Sequence, residues 1–404
     1  MSKLCEKITN NHKPNFQNKF CLLYFLYVII SVLRTADWQN DNISPYLKIL
    51  MFLIIGITFL CFCFDEFINK KRLEMSFLLA ILCGLCFLQR ANTLNIMAFL
   101  IFAITAYSLD SKEIIKANIN AQVLGVLLIL LLWFIGILPN RIETRISGGE
   151  EVSRYYLGFT YTTFLANYFF HIVVFYFFYK SLCKKEKISL FETVIVLSIN
   201  YLIYVLTNTR AVLACIVLLI LGIWIYRFYP KVSQWKLFRF FNVASFPLFG
   251  SIIFFMTYLY SPDNKFLLKI NKALSGRLAL GRKGFDLYGI KLFGNKTEWI
   301  SYQIVEETGQ TYFYVDSSYL NILFSYGLVM LLFFCFTMII LAKNNYKERN
   351  YVACFALMIL FLHCMLDPQF FDIKYNPLLC LTFKLAYDYF KEGNLFKKLR
   401  LRLN

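Results

Sequence analysis

The residues best able to do chemistry in this sequence are arginines that stand where long apolar runs meet polar segments. Arg141, Arg145 and Arg154 share the segment 139–157, and Arg210 opens an apolar run after the short turn Thr207-Asn208-Thr209. Arg277 and Arg282 fall in the segment 261–316 beside Lys265, Lys269, Lys272, Lys283, Lys291 and Lys296. A planar guanidinium pairs with two phosphate oxygens at once and keeps its charge, so these groups point to a phosphorylated ligand. Blander readings stand beside this one. Arg210 can snorkel to lipid phosphate, and the cations of 261–316 can form the solvated face of an amphipathic helix. Asp316, just before another apolar run, is a candidate general base and equally a helix N-cap. Glu150 and Glu151 are rival bases, and His363 and Asp367, at the end of a later run, are candidate cavity residues.

These groups are positioned by apolar segments. The chain has 404 residues, 59% apolar and only 16% charged, far from the balance of a water-soluble domain. Runs long enough to cross a hydrocarbon core of about 30 Å recur from end to end, each closed by a short polar or basic stretch. The pattern predicts an all-α polytopic membrane protein with about twelve transmembrane helices, near 20–34, 46–64, 75–89, 94–109, 119–138, 158–179, 188–206, 211–228, 240–260, 317–342, 351–366 and 376–390. The first, third and last runs are short or polar, so eleven helices, or one re-entrant segment, fit the same sequence.

Charge placement supports an even count. Lys and Arg are retained in short cytoplasmic loops during insertion. With the N-terminus inside, the cytoplasmic segments hold Lys3, Lys7, Lys13 and Lys19, then Lys70, Lys71 and Arg72, then Lys112 and Lys116. Further along, the same compartment takes the clusters 180–187, 227–239, 343–349 and 391–402. Both termini are therefore expected in the cytoplasm. The net charge of +18 is then a consequence of topology and lipid contact, not a nucleic-acid footprint.

Twelve cysteines add little, because most lie in apolar spans, where Cys behaves as a small hydrophobe; this includes the CxxC of Cys83 and Cys86. The three histidines have no ligand spacing, so no metal site is expected. The first span lacks a small-residue exit site and reads as an uncleaved anchor. The chain divides into helices one to nine over 1–260, a large outer loop over 261–316, and helices ten to twelve with a basic tail over 317–404. Leu274, Leu278, Leu280, Phe285, Leu287, Tyr288 and Leu292 give the loop enough apolar positions for one or two short amphipathic helices at the membrane surface.

Four stretches resemble the bacterial polysaccharide polymerases of the Wzy type, within the O-antigen ligase superfamily. They are Arg154-Tyr155-Tyr156-Leu157-Gly158-Phe159 and Leu206-Thr207-Asn208-Thr209-Arg210-Ala211, then Leu274-Ser275-Gly276-Arg277 followed by Leu292-Phe293-Gly294. The last is Val315-Asp316-Ser317-Ser318-Tyr319-Leu320 leading into Ser325-Tyr326-Gly327-Leu328. Ligases usually carry a His-Asn pair where this chain has Asp316-Ser317, which favours a polymerase.

The resemblance implies a GT-C-like, metal-independent glycosyltransferase without cofactor in the bacterial cytoplasmic (inner) membrane. It would join undecaprenyl-diphosphate-linked repeat units into O-antigen, capsular or exopolysaccharide at the outer face. Donor and acceptor would both be lipid-linked, with membrane lipid around them and a flippase and chain-length regulator as possible neighbours. Catalytic roles fall to Arg210, Arg277 and Asp316, and substrate contacts to Arg154, Arg145, Arg282, Tyr319 and His363. The alternatives are an O-antigen ligase and a lipid-linked oligosaccharide flippase; no internal repeat and no clear set of intramembrane charges favours the flippase.

Overall fold

The computed structural model describes residues 2–38, 43–65, 70–88, 93–147, 150–184, 187–300, 305 and 308–392. The first and fifth predicted runs start 18 and eight residues earlier than expected and the rest shift by a few, and the first nine runs fold into helices. These are α1 (Ser2–Leu33), α2 (Ile43–Asp65), α3 (Lys70–Leu88), α4 (Thr93–Thr105), α5 (Ser111–Phe134), α6 (Phe164–Leu182), α7 (Leu190–Thr207), α8 (Arg210–Phe228) and α9 (Lys236–Tyr258). Among the described residues seven helices are long and apolar enough to cross a membrane, with three shorter apolar helices beside them. Large apolar side chains cover the outside of the bundle. Tyr46, Ile49, Leu50 and Leu53 project from α2, and Phe191, Val194, Leu202 and Val205 from α7. Water would not tolerate so continuous an apolar surface, whereas lipid is its natural solvent. The protein is an all-α polytopic membrane protein.

Local signals set several helix ends. Asp110 caps α5 by accepting from the Lys112 N–H at 3.0 Å. Ser189 and Glu192 form a reciprocal capping box at the start of α7. Asn208, at φ +50°, takes the left-handed conformation that ends α7 and turns the chain into α8. The long segment after α9 forms α10 (Lys265–Ala273) and α11 (Arg277–Tyr288), matching the expected short helices. It packs on the bundle: Phe285 meets Phe254 and Phe324 edge to face at 5.3 and 4.9 Å.

Two predicted spans come out differently. Residues 317–342 do not make one helix; they form α12 (Ser318–Ser325) and α13 (Gly327–Lys347), broken at Tyr326. The break is filled by the loop strand 291–295. Leu328 and Val329 donate their N–H groups to the Lys291 and Leu292 carbonyls at 2.9 and 3.1 Å, and Asn295 N–H donates to the Phe324 carbonyl at 2.9 Å. Backbone groups freed by the break are thereby satisfied inside protein, as non-helical backbone at membrane depth requires. A Cβ on Gly294 would stand 2.2 Å from the Ser325 carbonyl oxygen and one on Gly327 2.3 Å from that of Leu292. Both glycines have φ near +85°, at +82° and +90°, so the approach needs glycine on each side.

Residues 376–390 do not form a spanning helix either. A buried 3-10 turn at Pro377–Leu381 leads into α15 (Thr382–Glu392), whose 11 residues fall short of the roughly 20 needed to cross. The turn packs on α4 and α5, and α15 on α13, so the segment is interior to the bundle. The helix preceding it, α14 (Tyr351–His363), is nearly all buried and packs on α6, α8 and α9.

The connections gather at two ends. At one, Lys184 Nζ donates to the Glu348 carbonyl and to Asn350, and Tyr346 reaches the Ser233 carbonyl, joining lysine-rich turns. At the other lie the long segment 259–317, the loop 364–376 and an antiparallel hairpin of β1 (Ile142–Ser147) and β2 (Glu150–Tyr155).

Candidate functional site

Arg277 is the first residue of α11, placed there by Gly276, whose φ of +86° reverses the chain out of α10. Its guanidinium makes three contacts. Nε donates to the Leu366 carbonyl at 3.1 Å, Nη1 to the Leu274 carbonyl at 3.2 Å, and Nη2 lies 3.6 Å from Asp316 Oδ2. One side chain therefore ties the long segment, the start of α12 and the loop 364–376 together. About a quarter of each partner is still exposed, 29% for Arg277 and 27% for Asp316, so a ligand can reach both. Asp316 does not act as the helix cap: Ser317 holds the cap position, without a side-chain bond, and the carboxylate turns to the arginine.

Asp367 completes the cluster from the loop after α14. Its Oδ2 accepts from Asn167 Nδ2 of α6 at 2.7 Å, its Oδ1 from the Gln369 N–H at 3.1 Å, and its carbonyl from the Ser318 N–H at 3.0 Å. Burial, and then the negative charge of Asp316, raise the Asp367 carboxyl to about 7, against the pull of Arg277, the Gln369 N–H and Asn167. Burial also raises Asp316, with Arg277 opposing it. The charge of Arg277 opposes the rise of both carboxyls. The phenol of Tyr314 is pushed up by burial and then by these two aspartates, which sets Tyr314 against the same group.

A second arginine junction joins the hairpin to α7. Arg154 of β2 is buried, donates Nε to the Thr207 carbonyl at 2.8 Å and stands 3.5 Å from Glu143 on the paired strand. It clips the hairpin to the end of α7, one short turn from Arg210, which is exposed at the start of α8. Helix α8 packs on α14, which carries the loop of Asp367. No family model, curated protein or solved structure matches this chain.

The other expected contacts are distributed differently. Arg282 is roughly 140° around α11 from Arg277; it pairs with Asp286 at 3.1 Å and donates to the Tyr258 carbonyl at 2.5 Å, so it braces α11 on α9. Tyr319 is 1% exposed, wedged on Phe246 and Gly250, with its hydroxyl on the Phe361 carbonyl at 2.9 Å. His363 is 2% exposed and stacked 4.1 Å from Phe170. Neither Tyr319 nor His363 presents a face to a sugar, because both are packing residues of the bundle interior. The backbone of Arg145 pairs with Val152 in the hairpin, and its side chain lies outside the described residues, as does that of Glu150. Asn167 was not legible as a site residue; its only signal is a lone amide within the aromatic run of α6.

Proposed function

We infer that this protein is a membrane glycosyltransferase that polymerises polyprenyl-diphosphate-linked repeat units. The observation that carries the reading is Arg277 held between Asp316 and the loop of Asp367, at the end of a lipid-embedded bundle. The structural joins also support it: Arg154 meets Thr207, Arg277 meets Asp316, and Gly294 meets the Tyr326-Gly327 break, so the four resembling stretches are paired in space. In this reading the site end faces outward and the lysine-rich end faces the cytoplasm, with both termini inside. The membrane is the bacterial cytoplasmic membrane.

The reaction forms one bond and breaks one. An acceptor sugar hydroxyl oxygen attacks the anomeric carbon of the donor; the carbon–oxygen bond to the diphosphate breaks, and its electron pair leaves with the lipid diphosphate. Arg277 and Arg210 stabilise the charge growing on that leaving group, in a water-poor setting where preorganised cations act most strongly. The hydroxyl proton passes to the Asp316–Asp367 pair. A carboxylate whose proton affinity lies near neutral pH is suited to this role, since it is both free to accept a proton and basic enough to hold it.

The test is the length distribution of surface glycan, resolved by gel, from cells lacking the protein and complemented with wild type or Arg277→Ala. The expected result is single repeats from the null and the variant and a ladder from wild type. Long lipid-linked chains persisting in the null would sink the polymerase reading and turn attention to ligation.

A further inference from the structure

A polar cavity lies at the start of α6. Its volume is about 330 Å³, at the lower end of the roughly 300–1,000 Å³ of small-molecule sites. It is lined by the end of α1, the start of α2, the residues before α6 and Lys374. Arg34 follows directly on the last residue of α1, and no carboxylate lies within ion-pair distance of it among the described residues. Lys374 pairs with its chain neighbour Asp372 at 2.5 Å and lies 4.9 Å from the Tyr375 ring. The cavity's own carboxylate, Asp37, is occupied by Arg141 at 2.7 Å. With both of those charges paired, Arg34 supplies the positive balance of the lining.

The backbone adds to that field. Ser44, in the first turn of α2, and Phe164, the first residue of α6, both line the space, so two helix N-termini border it. The wall is rigid: Asp37 N–H donates to the Gly158 carbonyl at 2.8 Å, and Thr160 N–H to the Thr35 carbonyl at 3.0 Å. Tyr46, Ile49, Leu50 and Leu53 of α2 are exposed apolar residues.

The geometry points to a second lipid-diphosphate site here, with Arg34 and Lys374 holding the diphosphate of the acceptor while Arg277 holds that of the donor. The inference rests on the polymerase reading. Polymerisation needs two lipid-linked substrates, and only the donor's diphosphate is bonded to the reacting carbon. The acceptor's diphosphate is bonded to neither reacting atom, so it is held at a site other than that of the donor. The two sites share the first turn of α6. Phe164 lines the cavity and Asn167 bonds Asp367, three residues and roughly 4.5 Å apart along the helix.

The experiment counts bound undecaprenyl diphosphate on the full-length protein in phosphatidylcholine nanodiscs by native mass spectrometry, for wild type, Arg34→Gln and Arg277→Gln, with inorganic pyrophosphate as competitor. Wild type is expected to carry two such lipids and each variant one, and Arg34→Gln to raise KM for a single-repeat acceptor by about tenfold or more. Unchanged lipid occupancy and affinity in Arg34→Gln would overturn the site. Pyrophosphate binding that depends on Arg34, with no lipid bound there, would overturn the assignment to a lipid substrate. A glycan ladder that survives in the null, with lipid still lost in Arg34→Gln, would sink the polymerase reading while leaving the lipid-diphosphate site standing.

Discussion

Arg277 Nη2 lies 3.6 Å from Asp316 Oδ2 while its Nε is bonded to the Leu366 carbonyl at 3.1 Å, so one guanidinium joins residues 89 positions apart to the start of α12. Lysine's three donors sit on one atom and lack the planar fork whose separate nitrogens make these contacts. Arg277→Ala and Arg277→Lys should each lower turnover by roughly ten- to a hundredfold, the equivalent of losing about 1.5–3 kcal/mol of charge-assisted bonding. Turnover of a defined lipid-linked repeat measures this; a fully active lysine variant would show that the fork geometry is irrelevant.

The pH dependence follows from Asp367. Its carboxyl is raised to about 7 by burial and by Asp316, above an unfolded value of about 3.9. The folded state therefore binds more protons between those two values, and stability is highest at the acid end and declines as pH rises through about 7. Asp367→Asn should abolish that decline, as seen in melting temperatures across the range. As a base, Asp367 should give a rate that rises through about neutral pH, and Asp316→Asn, by removing a like charge, should move that rise to lower pH. A profile unmoved by Asp316→Asn would remove the pair from the chemistry.

Gly294 and Gly327 close the broken span backbone to backbone. Alanine at either meets a carbonyl oxygen at 2.2 or 2.3 Å and adds the cost of a left-handed residue, on the order of 1–2 kcal/mol. Both variants should melt earlier and expose 291–295 to protease. Gly276→Ala has the same backbone cost but open space around its Cβ, so its effect should be smaller.

Arg154 holds the β-hairpin on α7. Arg154→Gln should loosen the hairpin, raising hydrogen exchange in 142–155 by about tenfold or more, since a buried charge-assisted bond to the Thr207 carbonyl is lost. Glu143→Gln should do less, because Glu143 keeps 36% of its side chain in solvent.

Tyr319→Phe separates packing from sugar contact. The hydroxyl bonds only inward to the Phe361 carbonyl, so its loss should cost about 1 kcal/mol of stability and leave acceptor KM unchanged. A raised KM would return Tyr319 to the substrate.

The amino-acid sequence by itself determined the fold class and most helices, because a bilayer demands apolar runs of a minimum length and no context can substitute for them. It determined equally that arginines cluster at the ends of those runs and that Asp316 stands before α12. Three features were decided only in tertiary structure. The break at Tyr326 lies inside a stretch that hydropathy reads as one span and exists because 291–295, some thirty residues earlier, supplies the missing backbone partners. The 3-10 turn at Pro377–Leu381 is as apolar as a span, and its short form follows from packing on α4 and α5. Asp367, Asn167 and the Arg34–Lys374 cavity bring together residues up to 340 positions apart. Hydropathy is a property of neighbours along the chain, whereas a carboxyl raised by burial or a basic pocket is a property of neighbours in space.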